Sequence, residues 1–96
     1  MAQLEQALLA LRSRSEASAF LRALLTTREI KTMRHRFQAM ELSSVGATQR
    51  IVSSRLHIST TTATRAASAA RANRRIIKLL LDRIEGGILS DASKGR

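Results

Sequence analysis

Gln49-Arg50-Ile51-Val52-Ser53-Ser54-Arg55-Leu56-His57-Ile58-Ser59-Thr60-Thr61-Thr62-Ala63-Thr64-Arg65-Ala66 is the stretch whose reading decides the fold. Thr48, just before it, and Ser59, inside it, are of the type that starts helices, because a short side-chain oxygen accepts from a free amide of the first turn. They divide the stretch into a short helix with Ile51, Val52 and Leu56 inward, a tight turn at His57-Ile58, and a second helix from Thr60 to about Arg71. Ser53, Ala63 and Ala66 are small where the two helices would touch, so that their backbones can approach. With Val52, Leu56 and Ile58 directed inward, the pattern fits a helix-turn-helix over about residues 47–71. Such a turn usually places Gly at a positive φ. His57 stands there instead, one of the non-Gly residues that tolerate this region at some cost.

Working outward, both flanks read as helix. Leu4, Ala7, Leu8 and Leu11 follow the i, i+3, i+4, i+7 pattern of an amphipathic helix over about residues 2–12. Ser13 or Ser15 can cap a second helix whose apolar side is Phe20, Leu21, Leu24 and Leu25. Thr26 with Glu29 forms a capping-box pattern ahead of a third helix, in which Ile30, Met33, Phe37 and Met40 share a face that fades near Ser43, Ser44 and Gly46. A final helix, about Asn73 to Glu85, carries Ile77, Leu80, Leu81 and Ile84 on one stripe with Ile76 and Leu79 beside it. That stripe is wider than one face of so small a chain can hide. Gly86-Gly87 is expected to end it, leaving residues 88–96 as a flexible C-terminal tail. The expectation is an all-α chain of about six helices, with one DNA-binding domain over residues 1–87.

Composition supports this reading. A chain of 96 residues builds a thin core by itself, so a partner chain is expected to complete it. Aromatics make up only 2% of the residues and Pro is absent, which leaves Leu, Ile, Val, Met and Ala to pack uninterrupted helices. The formal net charge of +10 favours an anionic partner. Its distribution says more than its size: no acid occurs from Leu42 to Leu81, while Arg50, Arg55, Arg65, Arg71, Arg74, Arg75 and Lys78 fall within that span. An ordinary solvated helix face mixes signs; this one is free of groups that would repel phosphate.

Several classes of function are disfavoured. There is no Cys, hence no disulfide, thiolate metal site or thiol nucleophile, and this is compatible with a reducing compartment. The longest apolar runs are too short to span a bilayer. His35, His57 and the scattered carboxylates form no catalytic or metal-ligand pattern, so neither an enzyme nor a metal site is expected. The expected partner is double-stranded DNA, with no membrane involved, in a cytoplasmic, nucleoid-associated protein. Two rivals remain on charge alone: a sequence-independent nucleic-acid binder and a membrane-surface protein with basic amphipathic helices.

Thr48-Gln49-Arg50, then Leu56, Ile58 and Ser59, then Thr64-Arg65 stand at the spacing of the Trp repressor family signature. Leu25-Thr26, Glu29 and Arg36 match the opening of its third helix. The chain resembles that family over about residues 20–85, with about one residue fewer around Gly46-Ala47. The resemblance implies an intertwined homodimer whose first three helices and last helix share a core. The Trp repressor is itself a standard example of helix-turn-helix docking, so that geometry is taken over with the family. Implied DNA-contacting residues are Gln49, Arg50, Ser59, Thr60, Thr61 and Thr64, with Arg50 suited to a bidentate guanine contact and the Thr methyls to thymine.

The resemblance also implies an effector site for L-tryptophan as co-repressor, formed by Thr26, Arg36 and Arg65, with the indole between the two guanidinium groups. The chain departs from the family at Ala66, where the pocket has Gly, and at Ala69, where it has a Ser that helps hold the amino group. A methyl narrows the pocket, and a lost hydroxyl removes a partner for the ammonium. Three alternatives stay open: weak L-tryptophan binding, another small molecule, or no effector and no cofactor.

Overall fold

The protein, a computed structural model described over residues 1–94, contains six α-helices in this order: α1 (Leu4–Ala10), α2 (Arg14–Leu24), α3 (Thr27–Ser44), α4 (Gln49–Leu56), α5 (Thr60–Ala72) and α6 (Arg74–Lys94). No strand occurs among the described residues. Within the stretch expected as one domain, contacts group into two compact units, Met1–Arg34 and the chain from His35 onward.

The first unit is organised by its caps. Ser13, rather than Ser15, starts α2: its Oγ accepts from the Glu16 amide at 3.0 Å, and the Glu16 carboxylate accepts from the Arg12 amide at 2.8 Å. Thr26 and Glu29 form the expected reciprocal pair at the head of α3. The Thr26 amide donates to Glu29 Oε1 at 2.8 Å, and the Glu29 amide donates to Thr26 Oγ1 at 3.1 Å. No side chain of α1 or α2 is buried. Leu4, Leu8 and Leu24 are at least half exposed and Leu11, Phe20, Leu21 and Leu25 half-buried, so the apolar stripes read from the sequence are only partly covered in the single chain.

The second unit holds the core. Ala39 of α3, Val52 of α4 and Ala63 and Ala66 of α5 are buried together, with Met40, Leu42, Ala47, Leu56 and Ile58 packed against them. Small side chains at the centre permit the close helix approach that the sequence pattern anticipates. Ile51 departs from expectation: it is 48% exposed, not inward. Val52 and Leu56, one turn apart, claim the narrow inner face of an eight-residue helix, and Ile51 is rotated about 100° away from Val52.

A second difference lies at the C-terminal end. α6 continues through Gly86 and Gly87 to Lys94 instead of stopping there, so residues 88–94, expected as tail, extend the helix backbone. A helix needs only its backbone hydrogen bonds, and Gly weakens it by roughly 1 kcal/mol without forbidding it. Among the described glycines only Gly46, in the turn after α3, has a positive φ, of 95°. On α6, Ile77 is buried, whereas Ile76, Leu79, Leu80 and Ile84 are exposed by 40% or more.

Candidate nucleic-acid interface

The candidate site is the α4–turn–α5 segment, and its local hydrogen bonds follow from the residues chosen at each end. Thr48 Oγ1 accepts from the Ile51 amide at 3.2 Å, which starts α4. Ser59 Oγ accepts from the Thr62 amide at 3.0 Å and donates to Thr62 Oγ1 at 2.9 Å, which starts α5. Between them His57 adopts the left-handed conformation, φ 58° and ψ 46°, at the C-cap of α4, and its amide donates to the Ser53 carbonyl. The Ile58 amide donates to the same carbonyl at 3.1 Å. Ser53 Oγ in turn donates to the Ile58 carbonyl, so the small residue chosen for close packing also latches the turn.

Burial assigns the two faces of α5. Ala63, Ala66, Ala67 and Ala70, at i, i+3, i+4 and i+7, are its buried side. At about 100° per residue, the opposite side is centred on Thr61, Arg65 and Ser68, with Thr64 beside it; all four are exposed, as is Thr60, which lies nearer the buried side. On α4, Gln49, Arg50 and Ser54 are exposed, Arg50 and Ser54 lying one turn apart on the side away from Val52. Ser54 and Ser68 were not among the residues singled out from sequence. Counting from the buried alanines of α5 would have found Ser68, but polar and small residues alternate too freely there for composition to separate the faces.

The expected DNA-contacting residues Gln49, Arg50, Ser59, Thr60, Thr61 and Thr64 are therefore all exposed on one helix pair. Ser59 is occupied as a cap. No acidic residue lies between Leu42 and Leu81 to oppose a phosphate backbone. The ion pair found among the described residues, Lys78–Asp82 at 3.4 Å, is exposed and on α6.

The three expected effector residues lie at the head of α3, on α3 and on α5. Thr26 is in the first unit, where its hydroxyl oxygen caps α3. Arg36 on α3 and Arg65 on α5 are exposed, and neither makes a hydrogen bond or ion pair with another described side chain. Ala66 is 3% exposed and belongs to the core, so its methyl fills space where the family resemblance expects a pocket Gly. Ala69 is half-buried and carries no hydroxyl. No group of His, Cys, Asp and Glu among the described residues is arranged to hold a metal, and no described helix is long and apolar enough to cross a membrane.

Comparison with known proteins gives one family match: the model described as Trp repressor protein matches residues 1–85. It extends the resemblance read from residues 20–85 to the start of the chain. No curated protein and no solved structure matches the chain.

Proposed function

The chain belongs to the Trp repressor family, which is a family of DNA-binding regulators and not of enzymes, and on that premise we propose that it is a homodimeric transcriptional repressor reading a palindromic operator. The observation that carries this reading is the two-sidedness of α5: alanines packed inward and, outward, an exposed acid-free row of Thr, Arg and Ser behind a firmly capped N-terminus. A polar helix end of this kind suits the major groove, where the first turn meets base edges and the preceding helix rests on the backbone.

A homodimer is favoured by the thin core of the single chain and by the exposed apolar row Ile76, Leu79, Leu80 and Ile84 on α6. The first unit also leaves apolar surface open, in a groove of about 660 Å³ floored by Leu21, Leu25, Ile30 and Met33. Such a protein acts in the cytoplasm, at the nucleoid. The methyl of Ala66 within the core, and the missing hydroxyl at Ala69, favour DNA reading that does not wait for L-tryptophan.

Selection from a random duplex pool at fixed salt, with and without L-tryptophan, tests the proposal. The expected result is one palindrome, with half-sites about one helical turn apart, enriched in both arms. Enrichment only with L-tryptophan would restore Thr26, Arg36 and Arg65 as an effector site. No enrichment in either arm would replace the repressor with the sequence-independent binder that a net charge of +10 also permits.

A further inference from the structure

We propose that the cleft between the C-terminal end of α3, the last turn of α5 and α6 binds a small amphipathic carboxylate, and that its occupant braces α5; only the bracing rests on the DNA-reading role proposed for α5. The cleft has a volume of about 440 Å³ and lies wholly within the second unit. That size is in the range of small-ligand sites, which are mainly apolar with a few convergent polar groups. Its floor fits that description: Ala70 and Ile77 are buried and Leu81 is half-buried. Thr26, Arg36 and Arg65 take no part in it.

The charges around this floor select the ligand. Arg71 and Arg74 line the cleft where α5 gives way to α6, and neither makes a hydrogen bond or ion pair with another described side chain. Lys78 is taken up by Asp82 at 3.4 Å. The other acid of the cleft, Glu85, stands about 16 Å beyond Arg74 along α6 and so at the far end. A bare phosphate ion would leave the apolar floor in water, and a hydrocarbon would leave both guanidinium groups unanswered. A carboxylate on an apolar body answers both: an arginine fork takes its two oxygens in parallel hydrogen bonds while the body covers Ala70, Ile77 and Leu81.

The cleft lies away from the surface assigned to the homodimer. Ile76, Leu79, Leu80 and Ile84 are centred roughly 140° around α6 from Arg74, Ile77, Lys78, Leu81 and Glu85, which line it. An occupant touches α3, α5 and α6 at once, and Ala70 on the floor belongs to the same buried side of α5 as Ala63 and Ala66. It thereby steadies the tilt of the helix whose other end carries Thr60 and Thr61.

The test titrates the full-length protein, its Ala, Ile and Leu methyl groups labelled for nuclear magnetic resonance, with octanoate and benzoate, with the uncharged octanamide and benzamide, and with inorganic phosphate. The expected result is saturable binding of at least one carboxylate, with methyl shifts concentrated at Ala70, Ile77 and Leu81, and weaker binding of the amides and of phosphate. Arg71→Gln and Arg74→Gln should each weaken the carboxylate roughly 10-fold or more. Arg75→Gln, which removes a neighbouring exposed charge outside the cleft, should leave it unchanged. No saturable binding, amides or phosphate that bind as well as the acids, or an equal loss with Arg75→Gln overturns the site. Affinity for the selected palindrome, with and without the carboxylate, is expected to differ by roughly 5-fold or more; no difference overturns the bracing and leaves the site. A wild-type protein that enriches no palindrome overturns the repressor reading and the bracing with it, while the methyl shifts still decide the site.

Discussion

Ser53 and Ile58 are joined twice across the turn between α4 and α5, once by the Ile58 amide donating to the Ser53 carbonyl at 3.1 Å and once by Ser53 Oγ donating to the Ile58 carbonyl. The two bonds close the loop around His57 from both sides. They set the angle at which α5 leaves α4, and so the direction of the row Thr61, Arg65 and Ser68.

Replacing Ser53 with Ala removes the side-chain bond and leaves a half-buried carbonyl without that donor. The expected loss is about 1 kcal/mol, or a melting temperature lower by roughly 4–8 °C in a domain of this size. Thermal unfolding followed by circular dichroism measures it; an unchanged midpoint would mean that the hydroxyl contributes nothing to the turn.

His57 holds a backbone conformation that costs an L-residue roughly 1–2 kcal/mol. Gly removes that cost but adds roughly 0.5–1 kcal/mol of chain entropy, so His57→Gly should gain up to about 1.5 kcal/mol. Val, which resists positive φ most strongly, should lose stability. Urea midpoints are expected in the order Gly above His above Val, and any other order contradicts the strain account.

Much of this architecture was legible in particular residues. Thr26 with Glu29, Thr48, Ser59 and the Ser13 alternative all cap helices, because capping is a local contest between a hydroxyl and water for one amide. His57 was legible for the same local reason, as the residue standing where a turn demands positive φ. The exposure of Ile51 was not, since its neighbour Val52 is as apolar and only packing decides which of two adjacent residues faces in. Nor was the continuation of α6 past Gly86-Gly87, because two glycines lower helix stability without dictating a stop. Nor was the exposure of Ser68 beside Arg65, because a Ser in an Ala-rich helix becomes informative only once the buried side is known.

Leu80 is 40% exposed on α6, in the apolar row assigned to the homodimer. A carboxylate there would be buried without a partner, so Leu80→Asp should abolish the dimer and with it most of the fold. Sedimentation is expected to give twice the chain mass of 10.6 kDa for wild type and no dimer for the variant. A variant that sediments as the wild type does would remove Leu80 from the interface.

Arg50 projects from the first turn of α4 on the side away from Val52. Arg50→Ala should cost roughly 1–3 kcal/mol of binding and relax discrimination at one base pair per half-site. Competition titrations with duplexes altered one position at a time read this out. Equal weakening on every duplex would make Arg50 a phosphate contact.

The central claim is that this chain reads base sequence and does more than neutralise phosphate. Its most direct test is the ratio of two dissociation constants, for the selected palindromic duplex and for a scrambled duplex of the same length and composition, measured at one physiological salt concentration. The account predicts at least about a 1,000-fold preference for the palindrome, the lower end for specific DNA readers. Equal affinity for the two duplexes would contradict it, and would leave the charge as the whole of the interaction.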